Sequence, residues 1–359
     1  MATPHPSEPH PAPPAAEVDT RVEAALAATA TQLRALVSER LAPHSWARSH
    51  PTGIDALTGG KYVRARAFLT TAYAYGATDS DAMTAAAAAL ELVHTASLVH
   101  DDIIDSAELR RGYPALHIAT NEATAILVGD LLFALAFELT APLGTPVTTA
   151  LARAYTGLCE GQLVEPDLTW DSGSRELLER YGSLKTGALF GAAYELGGVV
   201  ADRAEDECTA LRAAGVGLGL AFQLADDLLD VHGDAAELGK DHGADLRNGV
   251  PSLPLWLAYQ ELTSGSETQE RVPVEALAAT AGSQRVSVLV EQRIAELADA
   301  ARATMPRTAD PALREAAILA VVAAGTATPG HPTPIPAASP SSTLPAAQAG
   351  SRTTGNETR

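Results

Sequence analysis

The chain has 359 residues, of which 44 are acidic and 25 are basic, and its formal net charge at pH 7 is −19. This charge argues against nucleic acid as a partner and against a generally basic face that docks on membranes. The length is enough for one large domain or two, and no linker divides the middle of the chain. Cys159 and Cys208 form no recognisable disulfide framework, which is typical of a reducing cytoplasm.

Helix is the expected secondary structure along most of the chain. Ala, Leu, Glu and Arg dominate, aromatic residues make up only 4%, and alternating β-branched runs are scarce. The sequence therefore predicts an all-α bundle that covers residues 18–324. The Pro-rich residues 1–17 and the Pro/Ser/Thr-rich residues 325–359 lack apolar periodicity, and they are predicted to be disordered tails.

The N-terminal end and the apolar segments predict neither export nor membrane insertion. Residues 1–16 contain no apolar core and no early Lys or Arg of a secretory signal. The most apolar stretch, residues 123–143, is interrupted by Asp130 and Glu138, whereas a transmembrane helix needs roughly 20 apolar residues. We therefore expect a cytoplasmic protein without stable membrane insertion.

The first cationic cluster in the chain is Gly59-Gly60-Lys61-Tyr62-Val63-Arg64. The two glycines give a flexible lead into a helix. Lys61 and Arg64 are three residues apart, so they are predicted to share one face of that helix.

An acidic pattern occurs twice, as Asp101-Asp102-Ile103-Ile104-Asp105 and as Asp226-Asp227-Leu228-Leu229-Asp230, each time within an apolar segment. Residues four apart share a helical face, so each motif places two aspartates side by side. Like charges at this spacing cost a helix roughly 0.2–0.5 kcal/mol per pair, so a cation is expected between them. Hard oxygen ligands favour Mg²⁺, which commonly bridges to substrate phosphates. A single copy would be interpreted as a solvated helix end, but two copies in apolar helices favour a metal site.

Basic residues suited to phosphate accompany the acidic motifs. Arg110 and Arg111 come just before Gly112 and Pro114, which are predicted to end the helix of the first motif. Lys185-Thr186-Gly187 and Gly239-Lys240 supply two more ammonium groups. Each of these cations could be an ordinary surface charge, and for Lys240 alone that interpretation is favoured.

Together these segments resemble the trans-isoprenyl diphosphate synthase (polyprenyl synthetase) family, from about Gly59 to Pro254. The motifs that carry the resemblance are Gly-Lys-x-x-Arg at 60–64, Leu98-Val99-His100, the first Asp motif, Arg-Arg-Gly-x-Pro at 110–114, Lys185-Thr186, Phe222-Gln223, the second Asp motif, Gly239–Leu246 and Ser252-Leu253-Pro254. The resemblance implies a single large helical bundle of the isoprenoid synthase type with a central active-site cavity. Among its members, the chain is most similar to medium- and long-chain polyprenyl diphosphate synthases.

The activity implied by the resemblance is a head-to-tail, trans condensation of isopentenyl diphosphate with an allylic diphosphate, carried out by a homodimer with about three Mg²⁺ ions. Breaking the allylic C–O bond leaves a carbocation and a diphosphate, and the new negative charge needs preorganised cations. The implied metal ligands are Asp101, Asp105, Asp226 and Asp230. The implied contacts of the allylic diphosphate are Arg110, Lys185, Thr186, Gln223 and Lys240. The implied isopentenyl diphosphate pocket consists of Lys61, Arg64, His94 and Arg111. The residues expected to carry catalysis are Asp101, Asp105, Arg110, Lys185 and Asp226.

The chain departs from the family pattern at a few positions. The family often has Lys and Thr where this chain has Val250 and Ser252, so one cation over the diphosphate is absent and Lys240 is expected to do more of that work. Ala65 replaces a common Pro, with little expected effect. Relatives usually finish in a helix with basic residues, whereas this chain passes into Gly325-Thr326-Ala327-Thr328-Pro329-Gly330.

Parts of the sequence also fit three other functions. The His100-Asp101 doublet occurs in metal-dependent phosphohydrolases, but those need further His ligands, and none lies at a comparable spacing near the second Asp motif. For His100 a structural role is therefore favoured. A class I terpene cyclase normally replaces the second Asp motif with an Asn/Ser/Glu pattern and needs no isopentenyl diphosphate pocket. A non-catalytic subunit of a heteromeric synthase usually shows eroded Asp motifs; Val250 and the C-terminal residues favour it, and the complete motifs argue against it.

Product length is predicted from the helix that leads to Asp101. One helical turn, about 5.4 Å, is close to the length of one isoprene unit, so side chains along this helix act as a ruler. The positions four and five residues before Asp101, which are aromatic in many short-chain relatives, are the small Ser97 and Ala96. Below them come Val93, Leu90 and the facing Phe133. We expect a product longer than geranylgeranyl diphosphate, with geranylgeranyl diphosphate itself as the alternative if Leu90 stops the chain.

Overall fold

The computed structural model describes residues 15–49, 52–78, 80–171, 173–232, 250–264, 272–308 and 311–326. These residues are almost entirely helical, which confirms the all-α prediction. The helices of the N-terminal half are α1 (Ala15–Leu41), α2 (Ser45–Ser49), α3 (Thr52–Thr58), α4 (Val63–Ala74), α5 (Asp81–Ile104), α6 (Leu116–Ala119), α7 (Glu122–Thr140) and α8 (Thr145–Val164). Those of the C-terminal half are α9 (Arg175–Gly182), α10 (Ala188–Val200), α11 (Glu205–His232), α12 (Leu253–Thr263), α13 (Val274–Ala281), α14 (Gln284–Thr304) and α15 (Pro311–Thr326). A π-helical turn, Ser183–Gly187, joins α9 to α10, and 3₁₀ turns lie at Ala141–Leu143 and Glu165–Asp167.

The ends of the bundle lie slightly outside the predicted boundaries. Helix α1 begins at Ala15 and α15 ends at Thr326, so residues 15–17 and 325–326, predicted to be disordered, are helical because both helices continue for a short distance past their last apolar turns. The predicted disorder of residues 1–14 and 327–359 lies outside the described residues, as does Lys240.

Local sequence explains where several helices begin. The side chain of Ser80 accepts a hydrogen bond from the Met83 N–H at 3.2 Å at the start of α5. Asn121 accepts one from the Thr124 N–H at 2.9 Å at the start of α7. Such caps satisfy amide groups that the helix itself leaves unpaired, and each typically contributes about 1 kcal/mol.

The centre of the molecule is the packing of α10 against α11, with α5 packed against α7 beside it. Helices α10 and α11 approach closely because glycines line their interface. A Cβ at Gly215 of α11 would lie 2.8 Å from the Phe190 carbonyl oxygen of α10, which is too close for any side chain. Large buried rings such as Phe190 and Tyr194 fill the space on either side. The two Asp motifs therefore lie at the C-terminal ends of two interior helices, α5 and α11.

Among the described residues, three helical segments are long and apolar enough to cross a membrane by length and composition: Asp81–Ile104, Glu122–Leu143 and Glu205–His232. The prediction that Asp130 and Glu138 rule out such a segment was therefore too strong. The first and third are α5 and α11, whose most apolar windows are 72% and 56% buried inside the bundle. The second contains α7, for which the buried share is only 39%, so α7 carries an outward apolar face.

The sequence predicts that the helix of the first Asp motif continues to Arg110 and Arg111. In the structure it ends earlier. Helix α5 ends at Ile104, and the chain then forms a two-stranded antiparallel hairpin of β1 (Leu109–Arg110) and β2 (Tyr113–Pro114). Ser106 and Arg111 adopt left-handed backbone with φ of 53° and 54°, which is incompatible with a right-handed helix. Gly112, with φ 79°, completes the turn of this hairpin rather than ending a helix.

Candidate active site

Asp101 and Asp105 form the first acidic face, at the C-terminal end of α5. Burial raises the pKa of Asp101 to about 6; the positive charge of Lys185 opposes this rise and the nearby Asp105 adds to it. Burial likewise raises the pKa of Asp105. Both carboxylates also lie at the negative end of the helix dipole, so a bound cation would relieve an unfavourable charge at this place.

The second acidic face, Asp226 and Asp230, lies at the end of α11 and is half-buried. In the part of the chain that the structure describes, no three His, Cys, Asp or Glu side chains converge on one point as a complete metal cage. This donor set fits Mg²⁺, which usually takes one or two carboxylates and completes its shell with water and substrate phosphates.

The π-helical turn Ser183–Gly187 interacts with both acidic motifs. Lys185 lies close enough to Asp101 and Asp105 for its positive charge to oppose the rise in the pKa of both. The next residue, Thr186, donates its hydroxyl hydrogen to the side-chain oxygen of Gln223 at 2.6 Å. The Gln223 amide in turn donates to Asp227 at 2.8 Å. The structure thus brings together Lys185, Thr186 and Gln223, three residues that the sequence analysis placed around the allylic diphosphate.

Glu165 is a residue of this site that the sequence analysis missed. Its carboxylate accepts hydrogen bonds from the Lys185 ammonium and from the Tyr181 hydroxyl. Burial by itself would raise the pKa of Glu165, but these hydrogen bonds bring that pKa below its ordinary value. Glu165 therefore holds Lys185 in place beside Asp101, and an incoming diphosphate would compete with it for the ammonium. A lone Glu after a Val gave no signal of this contact in the sequence.

The middle aspartates of the two motifs have a different role from the outer ones. Asp102 is 3% exposed and accepts hydrogen bonds from the Arg110 guanidinium, with Nε at 2.7 Å. Asp227 is 8% exposed and accepts from Gln223. Each middle aspartate therefore fixes the orientation of a residue expected to contact the allylic substrate. The helical spacing alone assigned only the outer aspartates.

A second group of cations surrounds His94, which lies about two helical turns before Asp101 in α5. Burial lowers the pKa of His94 well below its ordinary value, and the positive charges of Arg64 and Arg111 add to this effect. His94 is thus neutral at pH 7. Arg111 donates from Nη1 to the carbonyl of Ala56 at 3.1 Å and to that of Gly59, so its guanidinium is held at the Gly59-Gly60 turn.

Lys61 does not share a helical face with Arg64, which corrects the prediction from spacing. Helix α4 begins only at Val63, because Tyr62 has left-handed backbone with φ 49°. Lys61 lies in the preceding turn and is exposed, whereas Arg64 is in the first turn of α4 with its guanidinium 5.0 Å from the centre of the Phe190 ring.

The predicted chain-length residues lie on two adjacent faces of α5. Ser97, His94 and Leu90 follow Asp101 down one face, and the Ser97 hydroxyl donates to the carbonyl of His94 at 2.8 Å. Ala96 and Val93 lie below His100, whose ring packs directly on Gly129 of α7, and both are fully buried, as is Leu90.

The remaining residues discussed in the sequence analysis are Phe133, His100 and Val250. Phe133 stacks against Tyr155 with ring centres 4.0 Å apart, on the α7 side of this region. The ring centre of His100 lies 5.7 Å from that of Phe133, and its Nε2–H donates to the Ile126 carbonyl at 3.1 Å, which agrees with a structural role for His100. Val250 packs into the apolar cluster beneath α12.

An apolar cavity of about 80 Å³ borders the Asp102–Arg110 pair. Its walls come from α2, α3, α5, α6 and the hairpin, and include Trp46, Val99 and Leu116. Val99 and Asp102 are on the α5 face adjacent to that of Asp101, so this cavity lies beside the acidic face and not along the line of Ser97 and Leu90.

Comparison with known proteins finds similar chains over most of the bundle. The sequence model of the family described as Polyprenyl synthetase matches residues 52–290. A nonaprenyl diphosphate synthase of Mycobacterium tuberculosis is 37% identical over 206 residues, which are 56% of this chain and 61% of that protein, so the match spans less than two thirds of its length. A geranylgeranyl diphosphate synthase of Rhodobacter capsulatus is 38% identical over 66% of this chain and 80% of its own.

A solved structure extends the similarity over nearly the whole bundle. The polyprenyl synthase from Caulobacter crescentus, crystallised with calcium and isoprenyl diphosphate, superposes with a TM-score of 0.73 and 31% identity, covering 89% of this chain and 100% of that one. The motif order, the all-α bundle and these matches lead to one assignment: the chain belongs to the polyprenyl synthetase family.

Proposed function

We propose that this protein is a trans-prenyltransferase that condenses isopentenyl diphosphate head to tail with allylic diphosphates. The observation that carries the proposal is the neighbouring pair Lys185 and Thr186. The charge of Lys185 acts on Asp101 and Asp105 of the first acidic motif, and Thr186 is hydrogen-bonded through Gln223 to Asp227 of the second. A separate group of buried cations lies around His94. One anion-binding region beside the metal-binding aspartates and one away from them are what two diphosphate substrates of different roles require.

The residues of the first region suit the allylic diphosphate. Asp101, Asp105, Asp226 and Asp230 would hold Mg²⁺, with about three ions as the proposed number. Bound Mg²⁺ would supply positive charge for the diphosphate as the allylic C–O bond breaks. Lys185 and Arg110 are fixed in advance by Glu165 and Asp102, so they need little reorganisation when that charge develops.

The second region suits isopentenyl diphosphate. Arg64 and Arg111 offer guanidiniums, and neutral His94 offers a ring N–H. None of these residues is an outer aspartate of either motif. The phosphates of isopentenyl diphosphate would therefore be held by direct hydrogen bonds and not through Mg²⁺. The C=C bond can then attack the allylic cation while its own diphosphate stays fixed, and the released diphosphate can take the proton.

The proposed product is longer than geranylgeranyl diphosphate, because Ala96 and Ser97 leave no bulky side chain below Asp101. Geranylgeranyl diphosphate is the second candidate. The fully buried Leu90 favours it, since a packed side chain at that depth would stop the growing chain.

A homodimer is the proposed assembly, in the cytoplasm. Helix α7 exposes a large apolar face, on which Leu127 is 67% and Ile126 46% exposed, with Ile118 of α6 near its start. A second copy of α7 would cover this face. Exposed apolar patches of this kind mark interaction surfaces.

One assay tests the reaction and the product length together. Purified protein is incubated with Mg²⁺, isopentenyl diphosphate and, in separate tubes, dimethylallyl, geranyl or farnesyl diphosphate, and the dephosphorylated products are sized by chromatography. Consumption of isopentenyl diphosphate with products longer than geranylgeraniol is expected. No consumption with any primer would refute the transferase and favour a non-catalytic subunit.

A further inference from the structure

Glu91 is a buried carboxylate to which the proposed mechanism gives no role. It lies in the middle of α5, 5% exposed, one turn before His94. Burial raises its pKa, and the rise is opposed by a hydrogen bond from the Ala65 N–H and by the positive charges of Arg64 and Arg111. A buried carboxylate is costly unless hydrogen bonds and opposite charges compensate it.

The first partner of Glu91 is the start of another helix. Oε1 of Glu91 accepts a hydrogen bond from the Ala65 N–H at 3.0 Å, in the first turn of α4. Tyr62, at the N-cap position of α4, makes no side-chain capping bond. Glu91 therefore caps α4 from a neighbouring helix, and its charge lies at the positive end of the α4 dipole.

The second partners are the two guanidiniums of the isopentenyl diphosphate pocket. Burial lowers the pKa of Arg64 to about 10, and the charge of Glu91 works against that fall. Glu91 likewise works against the burial that lowers the pKa of Arg111. The Nε of Arg64 is buried without a hydrogen-bond partner among the described residues, so little besides Glu91 and the Phe190 ring favours its inward position.

We propose that Glu91 is a positioning residue for the isopentenyl diphosphate pocket: it anchors the first turn of α4 and supplies the buried negative charge that keeps Arg64 turned inward before substrate arrives. It touches neither substrate itself. This role rests on the proposed function, because it takes Arg64 and Arg111 as the ligands of isopentenyl diphosphate.

Two physical effects predict opposite signs for removal of this charge. By Coulomb attraction alone, a pocket without Glu91 is more positive and binds a diphosphate more tightly. If Glu91 positions the Arg64 guanidinium, loss of the Glu91 charge lets that guanidinium turn towards water, and binding weakens because the ligand must order it again. The sign of the change in affinity therefore distinguishes a positioning role from a simple charge effect.

The test is Glu91→Gln, which keeps the side-chain length and an acceptor oxygen for the Ala65 N–H but removes the charge. Isothermal titration with isopentenyl diphosphate alone, in Mg²⁺ buffer without an allylic substrate, is expected to show a dissociation constant about tenfold higher than that of the wild type. Steady-state assays are expected to show a matching rise in KM for isopentenyl diphosphate, with kcat and the KM for the allylic substrate within about twofold.

Asp102→Asn is the matched control, since it neutralises another buried carboxylate of α5, one that pairs with Arg110 instead. Its expected effect falls on the allylic KM, with binding of isopentenyl diphosphate unchanged. Unchanged or tighter binding of isopentenyl diphosphate by Glu91→Gln would overturn the positioning role, as would equal rises in both KM values or a loss of binding explained by a lower Tm. A wild type that neither binds nor consumes isopentenyl diphosphate would instead refute the proposed function, and Glu91's role with it.

Discussion

At the scale of single residues, Asp101 links stability to catalysis. The folded protein raises its pKa from 3.8 to about 6, chiefly by burial. A raised carboxyl pKa means that the folded state binds the proton more tightly than the unfolded state. The stability from that proton is fully present below about pH 4 and is lost as the pH rises through about 6.

Asp101→Asn removes this pH-dependent cost. In EDTA, the variant should be more stable than the wild type by roughly 1–3 kcal/mol at pH 7.5, and the difference should shrink towards zero near pH 4. With saturating Mg²⁺, its turnover should fall by roughly 100-fold or more, because a proposed metal ligand is gone. Thermal melts across this pH range and a turnover assay check both parts. Wild-type turnover in the variant would contradict the metal-ligand role.

The two groups of cations should separate in kinetics. Arg64→Ala is expected to raise mainly the KM for isopentenyl diphosphate, by about tenfold, and Lys185→Ala mainly that for the allylic diphosphate, because loss of ground-state binding appears first in KM. Lys61→Ala should raise the KM for isopentenyl diphosphate less than Arg64→Ala does, since Lys61 is exposed in a turn. Initial rates with each substrate varied in turn check this, and swapped effects would overturn the assignment.

Sequence spacing located some of these residues and missed others for a physical reason. Asp101 and Asp105 are four apart on one helix, so local geometry was enough to pair them. Glu165 and Glu91 act through residues 20 and 26 positions away in the chain, at Lys185 and Ala65. No local pattern encodes such contacts, because they depend on how helices pack.

At the scale of one element, α5 should act as the product ruler, and its two faces should respond differently. Ser97→Phe places a ring on the face of Asp101, so it should shorten the product towards farnesyl length with little loss of stability. Ala96→Phe puts the ring into the fully buried contact with α7, where overpacking costs about 1–3 kcal/mol, so its Tm should fall as well. Product sizing and melting curves for both variants test this. An unchanged product distribution in both would show that the chain grows elsewhere.

The hairpin after α5 shows what element prediction from sequence could not resolve. Gly112 and Pro114 correctly signalled a turn, but a turn signal fits the end of a helix and the bend of a hairpin equally well. The left-handed backbone at Ser106 and Arg111 decided between them, and neither residue type favours that conformation by itself.

At the scale of the whole molecule, the proposed dimer depends on the apolar face of α7. Leu127→Arg should convert the dimer to a monomer, since a charge there would be buried without a partner. Light scattering during size-exclusion chromatography measures the mass directly. Leu289→Arg on α14, at a residue 45% exposed away from α7, is the control and should leave the dimer intact. A dimeric Leu127→Arg protein would place the interface elsewhere.

The π-helical turn at Ser183–Gly187 has a consequence for how this site tolerates change in length. A π-helical turn accommodates more residues than an α-helical one, so removing one residue near it can restore a regular helix at little cost in backbone bonding. The flanking helices α9 and α10 would keep their packing, while the residues within the turn would each move by one position. Lys185 and Thr186 would then lose Glu165 and Gln223 at the same time. A single-codon deletion at Gly182 should therefore give a well-folded, inactive protein, in which the number of residues rather than their identity sets the register of the site.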